Sequence, residues 1–227
     1  DVDEDDIAII GCSVELPGDI DDLESFWACL ANNRCVISDL SQDRESLWSQ
    51  YSDLTSWSDR IRHGGYIHDV AGFDAQFFSI APREAECMDP QQRILLHNHW
   101  RALEHANLSP KQLQGSNTAV YVGVFSHDYE ALQTKLGVSE KDQAYLGTGG
   151  SESVAAGRIA YSLDFRGPAM AVNTACSSSL VALHLACQAL RQGETDLALA
   201  SGVNLMLTPQ LSQTFKEAGM LSAEGRC

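Results

Sequence analysis

Four apolar, β-prone runs without polar alternation recur along the sequence: Asp6-Ile-Ala-Ile-Ile-Gly11, Thr118-Ala-Val-Tyr-Val-Gly-Val-Phe125, Ala169-Met-Ala-Val-Asn-Thr174 and the stretch from Leu197 to Leu207. A strand with one wet face alternates apolar and polar residues, whereas a strand covered on both faces stays apolar throughout. Helical patterns separate the runs, so the chain reads as α/β, a parallel or mixed sheet with helices on both faces. At 227 residues and 44% apolar content it can bury one sizeable core, and no internal repeat or low-complexity segment interrupts it.

Local signals place the helices. After the Pro17-Gly18 turn, Asp21 or Asp22 caps a helix whose Leu23, Phe26, Trp27 and Leu30 build one apolar face. Residues 32–68 are polar and rich in Ser and Asp, and read as an irregular surface excursion. Tyr51, Trp48 and Trp57 within it imply that it packs onto something. Asp89 is an N-cap, Pro90 sits at N1 and Gln92 at N3 can complete a capping box, predicting a helix to about Ala106 with Asn107 in the left-handed position. Further helices are expected at about 127–136, 152–162 and from Ser177 to Gln192, the last closed by Gly193.

Charge and cysteines narrow the function. With 31 acidic against 15 basic residues the formal charge is −16, which repels nucleic-acid backbones and anionic membrane surfaces. No apolar run approaches a membrane span and no secretory signal is evident, so a cytoplasmic protein is expected. Seven cysteines form no Cys-x-x-Cys pair and stand near no matching His pair, which argues against zinc and against a disulfide framework. His97, His99 and His105 share no metal-binding face.

The informative segment is Val172-Asn-Thr-Ala-Cys176-Ser-Ser-Ser-Leu, where an apolar strand meets a helix with a thiol at the junction. Serines 177 to 179 can satisfy the free N–H groups of the first turn, and Leu180, Leu183, Cys187 and Leu190 form the face to be buried. A cysteine at such a start feels the positive end of the helix dipole, the setting that activates thiols as nucleophiles. The plainer reading is that Cys176 is a small buried hydrophobe, as most cysteines in apolar stretches are. His184 lies eight residues further along the helix, about 12 Å of rise, too far to hydrogen-bond the thiol; it is expected to be packed or at a subunit contact.

Thr174-Ala-Cys176-Ser-Ser-Ser resembles the nucleophile motif of β-ketoacyl synthases, and other segments follow that family's order. These are Leu16-Pro-Gly18, Phe26-Trp27, Gly64-Gly65-Tyr66, Phe73-Asp74, Phe77-Phe78, Pro82-Arg-Glu-Ala85, Met88-Asp-Pro-Gln-Gln-Arg93, Val122-Gly-Val124, Ser153-Val-Ala-Ala-Gly-Arg158 and Gly202-Val-Asn204. Several are typical of modular polyketide synthases. The resemblance implies a thiolase-like fold in which residues 1–227 form the first half of an α-β-α-β-α condensing enzyme, with a mixed five-stranded sheet flanked by helices. It implies that Cys176 accepts an acyl chain from the phosphopantetheine thioester of an acyl carrier protein, for decarboxylative condensation with malonyl carrier protein, in polyketide or fatty-acid synthesis. Thr174, Ala175 and Ser177 would support Cys176, whose backbone N–H would be one oxyanion donor. No metal and no directly bound cofactor are implied. The implied partners are the carrier protein, a second copy in a homodimer with Met88 near the partner's pocket, the remaining ketosynthase half and other synthase domains.

The sequence departs from the family in several places. The family's His-Gly-Thr-Gly-Thr and Asn-Ile-Gly-His segments have no counterpart here, and Leu221 to Cys227 resembles the middle of a ketosynthase. Asn173 stands where Asp is usual, Gly150 where Asn is more familiar, and Ser201 in place of Gly. The alternatives are a non-condensing fragment that docks, dimerises or only accepts an acyl group, a thiolase-like acyltransferase using coenzyme A, and a redox-sensing thiol.

Overall fold

The computed structural model describes residues 6–51 and 57–225; the N-terminal residues 1–5 and Cys227 lie outside them. The chain divides into two units, Asp1–Ser13 with Phe73–Asn204 and Val14–Gly72 with Leu205–Cys227. No helix among the described residues is long and apolar enough to cross a membrane.

The first unit is built on three parallel strands, β1 (Thr118–Val124), β2 (Ala169–Val172) and β3 (Leu197–Val203), in the order β2-β1-β3. All seven residues of β1 are buried, and its period-two geometry explains why the run is apolar throughout. Val120, Val122 and Val124 join the larger core with Leu95, Leu96 and Leu103 of the Pro90–His105 helix and Ala156 and Ile159 of the Glu152–Leu163 helix. Ala119 and Tyr121 point the other way, onto Ala182, Ala186 and Ala189 of the Ser178–Arg191 helix. Burying each valine contributes roughly 1.5–3 kcal/mol, so both faces of this one strand tie the helical layers to the sheet.

Four of the differences between sequence and structure in this unit concern the sheet and the two long helices at 90–105 and 178–191. The described sheet has three strands rather than five. Residues 6–11, expected as a central strand, pair with no described strand, and Ile9 and Ile10 are exposed. This segment is held instead against the Pro90–His105 helix: the backbone N–H of Cys12 donates to His105 Nδ1 at 3.2 Å, and Gly11 sits so close that a Cβ there would lie 2.5 Å from the Ala102 carbonyl oxygen. An open groove of about 680 Å³ lies between the segment and β3, lined by residues including Ile9, Ile10, Leu183 and Leu199. Third, the Ser178–Arg191 helix turns Ala182, Ala186 and Ala189, with Leu185 beside them, to the sheet, leaving Leu180 70% and Leu183 43% exposed. Small side chains at 178, 182, 186 and 189 let the helix lie close to strands that carry glycine beneath it. Fourth, Gln92 does not close a capping box. Asp89 caps the first turn through the Gln91 N–H at 2.8 Å, while the Gln92 amide nitrogen donates to the carbonyls of Thr148, Gly149 and Ser151. The rest of this helix follows expectation, ending at His105 with Asn107 at φ 56°.

In the second unit, Asp22 and Ser25 form a reciprocal capping box on the Leu23–Ala31 helix. The expected apolar face is open, with Trp27 70% and Leu30 53% exposed and Cys29 alone buried within the helix. The 32–68 excursion is more ordered than its composition suggests, holding the Gln42–Trp48 and Asp59–Arg62 helices. Leu40, Trp48, Ile61 and Tyr66 make a small core to which Trp57, Met206 and Leu221 add. Arg44, 2% exposed, donates to the carbonyls of Met206 and Ile67 and pairs with Asp43, so its buried charge is met.

Candidate functional site

β2 ends at Val172 and the next helix begins at Ser178; between them Ala175–Ser177 form one 3₁₀ turn. A tight reversal from strand to helix forces Ala175 to φ 56°, a left-handed conformation that costs a residue with a Cβ about 1–2 kcal/mol. Hydrogen bonds on every side hold it there. Asn173 Oδ1 accepts from the Ala175 N–H at 3.2 Å. Ser178 Oγ accepts from the Thr174 N–H at 2.9 Å and donates to the Ala175 carbonyl at 2.7 Å, bracketing the strained peptide. Ser177 Oγ lies 2.9 Å from both the carbonyl and Oγ1 of Thr174. The hydroxyls of Ser177 and Ser178 therefore bind the loop behind them rather than the helix's first-turn amides, contrary to the sequence reading.

Cys176 stands at the crest of this elbow and is exposed, so it is not the small buried hydrophobe of the plainer reading. Exposure alone does not single it out, because Cys12 and Cys35 are exposed too. Its setting does. The helix N-terminus begins two residues on, and among the described residues the Cys176 N–H has no protein acceptor. A thiol and an open N–H at the positive end of a 14-residue helix can receive a carbonyl carbon and its oxygen together. Cys87, by contrast, is buried, and burial pushes its thiol up from the ordinary value.

Two glycines set the elbow's height, and reading by sequence left their role undefined. Gly123 of β1 and Gly202 of β3 are register partners. A Cβ on Gly123 would lie 2.6 Å from Ser178 C and Ser179 N, and one on Gly202 would lie 2.5 Å from Ser179 Cβ. The helix start thus rests directly on bare strand backbone. A glycine interrupting each of two β-prone runs was the available signal for such an approach.

The other residues singled out by sequence lie in different surroundings. Thr174, Ala175 and Ser177 are part of the elbow. Met88 is 0% exposed within the larger core, its carbonyl accepting from Arg93 Nε at 3.1 Å and Nη2 at 2.7 Å. His184 is exposed rather than packed. His97 packs on Phe73 and Phe78, and His99 is buried with Nδ1 donating to the Leu95 carbonyl at 2.7 Å. Burial lowers His99 to about 4 and raises Asp89, at the head of the same helix, to about 6. Among the described residues no group of three His, Cys, Asp or Glu side chains could hold a metal ion. Glu152 was missed altogether: it accepts from Asn173 Nδ2 at 3.0 Å and meets His127 Nε2 at 2.9 Å.

Comparison with known proteins follows the same lines. Residues 4–227 match the family model described as the N-terminal domain of β-ketoacyl synthase. The chain is 49% identical over 224 residues to a phenolphthiocerol/phthiocerol polyketide synthase polypeptide of Mycobacterium tuberculosis, covering 97% of this chain and 14% of that protein. It is 46% identical to pikromycin polyketide synthase component PikAII of Streptomyces venezuelae, again over 97% of this chain but 6% of that one. A ketosynthase from module 6 of the bacillaene synthase of Bacillus subtilis 168 superimposes with a TM-score of 0.82 at 38% identity, covering 97% of this chain and 35% of the solved one. The chain thus spans about a third of that solved ketosynthase and a smaller share of the synthases. The neighbours are thiolase-like ketosynthases, in keeping with the α/β architecture described above. On motif order, fold and similarity together, the chain belongs to the β-ketoacyl synthase family, as its N-terminal domain.

Proposed function

We propose that this domain serves the β-ketoacyl synthase of a polyketide synthase and that Cys176 is its acyl acceptor. The observation that carries the reading is the exposed Cys176 thiol on a strained strand-to-helix elbow, beside a backbone N–H that no group among the described residues occupies. The thiolate attacks the carbonyl carbon of an acyl group carried on the phosphopantetheine arm of an acyl carrier protein. The Cys176 N–H donates to the oxygen as it gains charge, the carbon–sulfur bond to the carrier breaks, and the carrier leaves as a thiol, taking up the equivalent of the proton that the Cys176 thiol gave up. In the second stage malonyl carrier protein loses carbon dioxide, the freed electron pair on its α-carbon attacks the acyl-cysteine carbonyl, and the Cys176 thiolate is released. On this reading decarboxylation draws on histidine segments that the 227 residues do not contain. The reading also includes self-association through β2, an edge strand on which Ala169 and Met170 are exposed.

The test uses the full-length polypeptide that carries this sequence, supplied with acyl and malonyl carrier proteins. The expected result is a β-ketoacyl carrier product whose formation Cys176→Ala abolishes. Acyl exchange with coenzyme A without loss of carbon dioxide would instead make this a thiolase-like acyltransferase.

A further inference from the structure

A chain of three side chains from three parts of the first unit ends on the strained peptide next to Cys176. His127, just before the Asp128–Leu136 helix, places Nε2 2.9 Å from Glu152 Oε1. Glu152, the first residue of the Glu152–Leu163 helix, accepts at the same oxygen from Asn173 Nδ2 at 3.0 Å. Asn173, just past β2, accepts through Oδ1 from the N–H of Ala175, the residue at φ 56°. We propose that Glu152 and Asn173, backed by His127, are positioning residues that lock the elbow and so set the direction of the Cys176 thiol and N–H. The proposal rests on the acyl-accepting role of Cys176 given above.

The chemistry of the chain is directional. A carboxylate only accepts, so the Asn173 amide must turn its nitrogen to Glu152, which leaves its oxygen for the Ala175 N–H. An amide is the side chain at 173 that meets both demands at once. Aspartate, the residue usual at this position in the family, would set two carboxyl groups 3.0 Å apart against Glu152 and give up the bond or the geometry. Asn173 and Glu152 therefore work as a matched pair, and the match runs one way: Asp at 173 requires a donor at 152. Glutamine at 152 supplies either partner, since its amide presents an oxygen to Asn or a nitrogen to Asp.

That reciprocity gives a test which a merely structural role would not pass. In the full-length polypeptide, the rate of Cys176 alkylation by iodoacetamide and its maximal rate of acylation by an acyl-pantetheine thioester are measured for four forms. Both probes are used because the first reports elbow geometry whether or not acyl transfer is the natural reaction. Glu152→Gln should stay within about twofold of wild type, Asn173→Asp should fall about five- to tenfold, as loss of one such bond predicts, and Asn173→Asp with Glu152→Gln should recover to within about twofold. The concentration of thioester giving half the maximal rate should stay constant across the four, because position and not binding has changed. The proposal is overturned if Asn173→Asp reacts like wild type, or if the double variant is no faster than Asn173→Asp. If the thioester fails to acylate even wild type while alkylation follows the expected order, the positioning role stands and the acyl-transfer reading falls.

Discussion

Adding one methyl group beneath the helix that follows Cys176 should move the whole elbow, and the two glycines there make the effect separable. In Gly123→Ala the new Cβ meets Ser178 C and Ser179 N at 2.6 Å, about 0.8 Å short of the 3.4 Å at which contact becomes ordinary. Those atoms are backbone, so the helix start must rise. Overpacking of this kind costs about 1–3 kcal/mol, which lowers the melting temperature by roughly 2–12 °C for a chain of this size. A displacement approaching 1 Å at a reacting atom costs up to about 10²-fold in rate, so Cys176 acylation should fall 10- to 100-fold. In Gly202→Ala the sole short contact is with Ser179 Cβ at 2.5 Å, while Ser179 Cα and Oγ lie at an ordinary 3.5 Å. Ser179→Gly removes that Cβ, at a helix-propensity cost of up to about 1 kcal/mol. Combined with Gly202→Ala it should restore acylation to within about threefold of wild type; combined with Gly123→Ala it should restore nothing. Thermal melts and single-turnover acylation of the five variants in the full-length polypeptide decide the matter. If Ser179→Gly rescued both alanine variants equally, or neither, the account of the helix resting on bare strand backbone would be wrong.

Three further outcomes follow from the structure. Asp89 and His99 sit on one helix and act oppositely on stability between pH 4 and 6.5. Burial raises Asp89 from 3.8 to about 6, so its contribution is present below about pH 4 and is lost as pH rises to about 6; burial lowers His99 from 6.5 to about 4, so its contribution is present above 6.5 and is lost as pH falls to about 4. Each spans about 3 kcal/mol. Denaturant titrations should therefore show Asp89→Asn losing stability more steeply than wild type on acidification, and His99→Met gaining relative to it; curves parallel to wild type would refute both assignments. Arg158, 9% exposed at its side chain, donates to Glu84 Oε1 at 2.6 Å and Gln92 Oε1 at 2.8 Å. Arg158→Met leaves both acceptors unmatched and should cost about 2–4 kcal/mol, and a melt within about 2 °C of wild type would contradict it.

What could be read in the sequence was what neighbouring residues decide among themselves. β1 was legible because burial on two faces leaves an unbroken apolar run, and the Pro90–His105 helix because Asp89, Pro90 and Asn107 mark its ends. Features set by distant residues were not. The buried face of the Ser178–Arg191 helix belongs to Ala182, Ala186 and Ala189, which pack on Ala119, Tyr121 and Val172, and its first turn rests on Gly123 and Gly202, all of them residues of the strands. Gln92 was diverted from capping by three carbonyls at 148–151, more than fifty residues on. The Gln143–Gly150 helix ends in Gly147-Thr-Gly-Gly150, residues of poor helix propensity that gave no local sign of it. For the site, Cys176 was legible from its motif and its strand-to-helix setting. Glu152 was not, since what makes it matter is Asn173, 21 residues later and on another element.

The central claim is that the Cys176 elbow accepts the acyl group, and site mapping tests it most directly. The full-length polypeptide is mixed with one equivalent of acyl carrier protein bearing a short acyl thioester, quenched in acid and digested, and the cysteine peptides are weighed. The account predicts one acyl group on the peptide containing Cys176, released by hydroxylamine and absent in Cys176→Ala, with Cys12 and Cys35 unmodified. An acyl group on either of those exposed cysteines instead, or acylation that persists in Cys176→Ala, would contradict it.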